Sequence, residues 1–401
     1  MNVVIVGNGL AGTMAAKTVR ELDGDAEIEI FGEERYPYYP RPHLVEYLAG
    51  RLPAAKLFAF PEGWAERQRI GIRLGEKVTR VRPGERKIET VSGLERFYDV
   101  LLLATGARAV RPPVDGIAKA GVFVLRNLDD ADALIEHLGT HQRVAVLGGG
   151  LLGLEIARAI RSREIEVTVV EYFDRLLPRQ LDPAAAVILR AHFEKIGISV
   201  RLAAVVKEIL GVGGVQGLRF ESGERLDADT VIIAAGVVPE AGTAKDAGLD
   251  VGRGIVVDDR MRTSAPAIFA AGDAAEHRGR IHGIIPAAFE QARAAAFAMT
   301  GQDKPYGGTV PFNTLKVAGI YLTSVGEIDA KGEGTEALVR SHPEAGLYKK
   351  IVLRQGRLVG GIWMGTKKGA AELSRLVAVE RHVEALKKDL LEDDFDFAEI
   401  L

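Results

Sequence analysis

The period of apolar and polar positions changes repeatedly along the chain, and the first change comes at once. Val3-Val4-Ile5-Val6 is a continuous β-branched run that stops at Gly7, as expected of a strand buried on both faces rather than one with a wet face. A helix-like segment follows over 10–22 and a second strand over 26–31. The same order returns later: Val144-Ala145-Val146-Leu147 runs into Gly148, a helix-like segment covers 151–161, and a strand covers 166–170. Two further apolar runs begin after Asp99 and Asp229 and end in Ala104-Thr105-Gly106 and Ala234-Ala235-Gly236; each should close one half as an added buried strand. Ile268-Phe269-Ala270-Ala271 is another strand, ending at Gly272-Asp273, and a helix is expected from about Pro286 to Met299 with proline in its first turn. From Thr309 the pattern becomes strands separated by Gly-rich turns, then a charged helix through Lys367 to Lys388 and an acidic tail.

The two copies share a glycine spacing with a physical reading. Gly7 and Gly148 permit the tight turn, Gly9 and Gly150 let the backbone approach a pyrophosphate, and Gly12 and Gly153 allow close packing of helix on strand. Backbone amides at the helix starts, around Leu10 and Ala11 in one copy and Leu151 and Leu152 in the other, would then face the phosphates. One such pattern is also satisfied by an ordinary tight turn. Its recurrence in full strand-glycine-helix-strand context points to two dinucleotide sites. In the second copy Glu171 closes the strand, where it would accept hydrogen bonds from an adenosine ribose and repel a 2'-phosphate, so NADH is expected over NADPH. Arg175 either folds back to soften that preference or is a surface loop arginine. The chain is therefore read as α/β, with two Rossmann-like dinucleotide-binding domains and a small α+β C-terminal domain. The boundaries are 1–110 with 245–308, then 111–244, then 309–401.

Composition narrows the chemistry. The net charge of -3 gives no overall drive toward nucleic acid or an anionic membrane. The longest apolar runs fall far below the ~20 residues that span a bilayer, and the N-terminus lacks the basic lead of a signal peptide, so a cytoplasmic protein is expected. The absence of cysteine removes disulfides, thiolate metal sites, protein-held iron–sulfur clusters and cysteine nucleophiles; no metal is expected.

With these residues in view, the chain resembles the FAD-dependent pyridine nucleotide-disulfide oxidoreductases of the glutathione reductase fold. Within that fold it is most similar to NADH:rubredoxin reductases and the flavin module of nitrite reductase large subunits. The resemblance spans essentially the whole chain. It rests on the first fingerprint, Tyr38-Tyr39-Pro40-Arg41-Pro42, Ala104-Thr105-Gly106-Ala107, the second fingerprint with Glu155, and Thr263-Ser264 leading to Ala271-Gly272-Asp273. It implies FAD on the first copy, held by Gly7, Gly9 and Gly12, by the strand ending at Ala104, Thr105 and Gly106, and by Gly272 and Asp273. It implies NAD(H) on the second copy, with Gly236 at its closing strand. The FAD ribose acid is expected at Glu33, with Glu34 beside it; Arg41 would lie near the phosphates and adenine, and the Val78 backbone near the adenine. The helix near Pro286 would aim its positive end at the flavin.

Two departures from relatives matter. Family members that use a thiol carry cysteine in the first helix or near Pro42 and His43, and this chain has none, so electrons would leave from the flavin itself. His43 is either a proton carrier beside the flavin or a packed loop histidine. Glu46 stands where many relatives have a lysine paired with the residue matching Glu155. Two carboxylates there would either titrate as a pair or Glu46 points to solvent. The expected activity is hydride transfer from NADH to FAD, then single electrons to a small carrier protein, rubredoxin or a ferredoxin. Alternatives are an NADH oxidase and a redox-responsive binding protein. Lys316, Lys367, Lys368 and Arg375 either dock an acidic carrier or merely solvate a surface.

Overall fold

A computed structural model describes residues 1–310, 312–317, 319–392, 395 and 397–400, with backbone alone for 312–317 and 399. The chain forms two compact units, the first made of 1–110, 126–128 and 237–309, the second of 111–125, 129–236 and 310–401.

In the first unit the apolar run at the N-terminus becomes the strand Asn2–Val6, paired in parallel with Glu27–Gly32 on one side and Val100–Leu103 on the other. Ile268–Ala270 and Ile70–Leu74 extend the sheet to five parallel strands. Val3, Ile5, Leu101 and Leu102 are almost completely buried, which accounts for their unbroken apolar pattern. The helices Leu10–Leu22 and Ile285–Met299 pack on one another, and both bury small residues, among them Ala11, Ala15, Ala292 and Ala295. A side chain at Gly272 would stand 2.9 Å from the Ala11 Cβ, so the strand-end turn is pressed onto the same helix. The chain returns to this unit at Val237–Pro239, which pairs antiparallel with Ala107–Ala109; there Glu240 N donates to Gly106 O at 2.9 Å.

The second unit repeats the plan. Arg143–Leu147 lies between Glu166–Val170 and Thr230–Ile233, all parallel, with Ile198–Arg201 and Val122–Phe123 completing five strands. The C-terminal part is a five-stranded antiparallel sheet whose Trp363 and Leu353 form a core with Leu373, Leu376 and Val377. Asp182 ties this sheet to the nucleotide fold. It caps the helix Pro183–Lys195 by accepting from Ala185 N at 3.0 Å, and it accepts from Tyr348 Oη at 2.6 Å and Lys350 Nζ at 2.7 Å. Burial pushes its carboxyl pKa up, but the hydrogen bonds from Lys350, Tyr348 and the Ala185 amide prevail and hold it below the usual range.

The charged helix expected through Lys367 to Lys388 is much shorter, Ala370–Ala378. Two backbone bonds end it: Glu380 N to Val377 O at 3.1 Å and Arg381 N to Leu376 O at 3.0 Å. Glu380 is left-handed, at φ 47°. This is a Schellman stop with glutamate in the place glycine usually takes, and the chain then turns to pair His382 with Arg357. Among the described residues, no helix is long and apolar enough to cross a membrane.

Candidate functional site

Each fingerprint is a strand-to-helix turn shaped by contacts that a Cβ would destroy. In the first copy Gly7 has φ 114°, and a Cβ there would come within 2.1 Å of the Ala104 carbonyl oxygen. A Cβ on Gly12 would come within 1.9 Å of the Gly7 carbonyl oxygen. A Cβ on Gly9 would meet nothing within 4 Å. The middle glycine therefore faces open space, and it starts the helix Leu10–Leu22 with no side-chain cap and no acidic residue in the first turn. Leu10 and Ala11 begin a turn whose amides have no partner within the helix, the arrangement that receives an anion. Beside it Asn8 Nδ2 is buried with no hydrogen-bond partner among the described residues. A nucleotide phosphate or ribose would supply the acceptor this donor lacks, so the residues fit a bound dinucleotide.

The second copy has the same steric plan. Gly148 has φ 121° and a Cβ on it would lie 2.4 Å from Ala234 O; a Cβ on Gly153 would lie 2.0 Å from Gly148 O, and one on Gly150 would meet nothing. Gly150 is likewise an uncapped helix start, followed by Leu151–Arg161; Leu152 in its first turn is exposed. Glu171 is buried, accepts from the Gly149 amide, and accepts from Phe173 N at 2.8 Å. The carboxylate expected to meet a ribose is thus held at the fingerprint. Arg175 is engaged by its own loop, donating to Pro178 O and Leu181 O, each at 3.3 Å, and pairing with Asp174. Gly236 follows the closing strand at φ 97°.

The other expected residues are placed as follows. Glu33 is exposed and pairs with Lys77 at 2.8 Å, whereas Glu34 turns inward, accepting from Arg41 and from the buried Tyr39 hydroxyl. Tyr39 Oη also accepts from Leu128 N at 2.9 Å, and burial raises the phenol's pKa above its ordinary value. Val78 is buried at the start of a strand paired with Lys87–Thr90. Thr105 Oγ1 donates to Glu240 O at 2.5 Å. Asp273, directly after Gly272, pairs with Arg126 at 3.3 Å. Arg126 escaped the sequence reading; it also donates through Nε to Ala107 O at 2.8 Å. The available signal was an arginine closing the apolar run Val122-Phe123-Val124-Leu125.

His43 Nδ1 lies 3.1 Å from Leu57 O; a carbonyl only accepts, so this nitrogen carries a proton. Glu46 pairs with Arg51 at 2.6 Å and Glu155 with Arg158 at 2.8 Å, so each carboxylate has a guanidinium within its own unit. Lys367, Lys368 and Arg375 are exposed; the Lys316 side chain lies outside the described residues.

A family model described as pyridine nucleotide-disulphide oxidoreductase matches residues 1–296. A second, the rubredoxin NAD+ reductase C-terminal domain, matches 311–381. Nitrite reductase (NAD(P)H) of Bacillus subtilis (strain 168) is 34% identical over 388 residues, covering 96% of this chain and 48% of that protein. The ferredoxin–NAD(+) reductase component of the biphenyl dioxygenase system of Paraburkholderia xenovorans (strain LB400) is 34% identical over 351 residues, covering 86% and 85%. A solved covalent putidaredoxin reductase–putidaredoxin complex superposes with a TM-score of 0.91 at 28% identity, covering 100% of this chain and 97% of that one. The chain spans about half the length of the longer nitrite and nitrate reductase relatives it matches.

Proposed function

Because the chain belongs to the pyridine nucleotide-disulphide oxidoreductase family, we propose that it is a cytoplasmic FAD-dependent reductase that oxidises NADH and passes single electrons to a small carrier protein. The observation that carries this reading is the pair of sterically equivalent fingerprints, the first beside the Glu34–Tyr39–Arg41 cluster and Asp273, the second closed by Glu171. The first copy would hold FAD: Gly9 and the amides after it at the pyrophosphate, Asp273 with Arg126 at the ribityl and phosphate region, and Glu34 as the inward carboxylate toward the adenosine. The second would hold NADH, with Leu151 and Leu152 at the pyrophosphate and Glu171 on the ribose hydroxyls. When bound, FAD supplies hydride acceptance and one-electron donation. The protein's own residues bind, orient and neutralise: the uncapped helix starts favour phosphate, Glu171 selects against a 2'-phosphate, and the positive end of Ile285–Met299 favours negative charge near it.

With no cysteine in the sequence, no thiol relay intervenes between nucleotide and carrier. The match of the C-terminal domain to that of rubredoxin NAD+ reductases favours rubredoxin as the carrier, with a ferredoxin next. The test is anaerobic turnover of NADH by flavin-loaded protein, with and without purified rubredoxin or ferredoxin. Strong stimulation by either carrier supports the proposal. In a parallel assay in air-saturated buffer, oxygen consumption without carrier at a rate equal to the carrier-dependent one would make the protein an NADH oxidase instead.

A further inference from the structure

Gln291, on the helix Ile285–Met299, is 1% exposed, a polar side chain set among buried alanines. Its Oε1 accepts from Gly272 N at 2.9 Å, so it grips the turn that presents Asp273. Its Nε2 is buried with no hydrogen-bond partner among the described residues. A side-chain amide can sit in the same place turned end for end. Turned that way, it would set its NH2 against the Gly272 N–H and leave buried donors facing each other, which is costly. The grip therefore depends on whatever fixes the amide's direction.

A directed series of hydroxyls supplies it. The Glu290 carboxylate only accepts, so Thr309 Oγ1, 2.6 Å away, donates to it. With its proton committed there, Thr309 Oγ1 accepts from Tyr306 Oη at 2.7 Å. The phenol oxygen then has only lone pairs left to offer. Tyr306 is itself fixed: it is buried, its N donates to Asp259 O at 2.7 Å, and its ring lies 4.9 Å from that of His277 and 5.9 Å from that of His282. Burial raises the phenol's pKa, and the nearby Gln291 amide works in the opposite direction, as a donor does. We propose that Gln291 is the positioning residue that holds the Gly272–Asp273 turn for the flavin nucleotide, and that the Glu290–Thr309–Tyr306 series sets which end of its amide meets that turn. This inference rests on the assignment of the first copy to FAD.

The test is the rate at which the flavin-loaded, full-length protein releases FAD, followed by the rise in flavin fluorescence. Gln291→Leu should speed release by roughly tenfold, because the Gly272 N–H loses its acceptor, and Tyr306→Phe by about threefold, because the acceptor stays but its direction is no longer set. Gln291→Glu gives a readout that mere packing would not move. As a neutral acid it offers Gly272 an oxygen and Tyr306 an O–H; as a carboxylate it sets an oxygen against the phenol's lone pairs. It should match wild type at about pH 6 and release FAD several-fold faster by about pH 9, each rate taken relative to wild type, which carries the same Asp273, Glu290, His277, His282 and Tyr306. Wild-type release rates in Gln291→Leu, or a Gln291→Glu ratio that does not change with pH, would overturn the proposal and leave the FAD assignment standing. Should Gln291→Leu not fold, the pH profile of Gln291→Glu decides alone. If wild type takes up no FAD, the assignment itself has failed.

Discussion

The two fingerprints match almost bond for bond, yet they exchange one pair of side chains. In each, the first glycine donates to the end of the neighbouring strand, Gly7 N to Phe31 O and Gly148 N to Val170 O, both at 2.8 Å. The next position and the strand end then trade volume. The first copy has Asn8 against Gly32, and a Cβ on Gly32 would lie 3.0 Å from the Asn8 Cβ. The second has Gly149 against Glu171, and a Cβ on Gly149 would lie 3.0 Å from a Glu171 carboxylate oxygen. There is room for one side chain at that place, not two. Where the turn keeps a side chain, the carboxylate must move on along the chain; this is the physical reason the first copy's acids come one and two residues later, as Glu33 and Glu34.

The sharpest way to break the equivalence is to fill the glycines. Gly12→Ala and Gly153→Ala drive a Cβ into a backbone oxygen at 1.9 and 2.0 Å, and each should cost about 3 kcal/mol or more, seen as a large fall in apparent melting temperature. Gly9→Ala and Gly150→Ala have open space and should leave melting of the ligand-free protein unchanged while weakening FAD and NADH respectively. Equal melting behaviour for all four would end the steric account.

The acids come next. Glu171→Ala should lower the NADH over NADPH ratio of kcat/KM by roughly tenfold or more, a lost charged hydrogen bond being worth ~1.5–3 kcal/mol. In the first copy Glu34→Ala should reduce FAD retention after gel filtration, whereas Glu33→Ala removes only an exposed pair and should not. A reversed order would make Glu33 the ribose acid.

The volume trade itself can be tested. Gly149→Asn should destabilise by about 1–3 kcal/mol, read from urea unfolding, and adding Glu171→Gly should recover part of that loss although nucleotide selectivity stays poor. No recovery in the double variant would mean that the clash with Leu176, whose Cδ2 is 2.7 Å from the same position, dominates.

The smallest effect separates both nucleotide copies from the C-terminal domain. Turnover with an acidic carrier should fall as salt rises, since exposed charges are screened over ~10 Å at 0.1 M, while NADH reduction of the flavin barely changes. Reversing Lys367 and Lys368 to glutamate should raise the carrier KM several-fold, exposed charge pairs being worth at most ~1 kcal/mol each. An unchanged KM would remove this face from docking.

Much of the architecture was legible because its causes are local. A β-branched run, a glycine needing φ near 114° or 121° and an alanine-rich helix start each declare themselves within a few residues, and their repetition announced two nucleotide folds. The features that escaped depend on partners remote along the chain. Asp273 meets Arg126 from 147 residues away, and Asp182 meets Tyr348 and Lys350 from 166 and 168. The helix that begins at Ala370 stops at Ala378, where the chain turns away to pair with Arg357 although its charged pattern runs on. Which of two adjacent glutamates turned inward was settled by where Tyr39 and Arg41 are held, not by the glutamates. Sequence thus determined the backbone devices, because propensity and steric exclusion act between neighbours; tertiary structure alone decided the charge partners, because burial and pairing are properties of the folded whole.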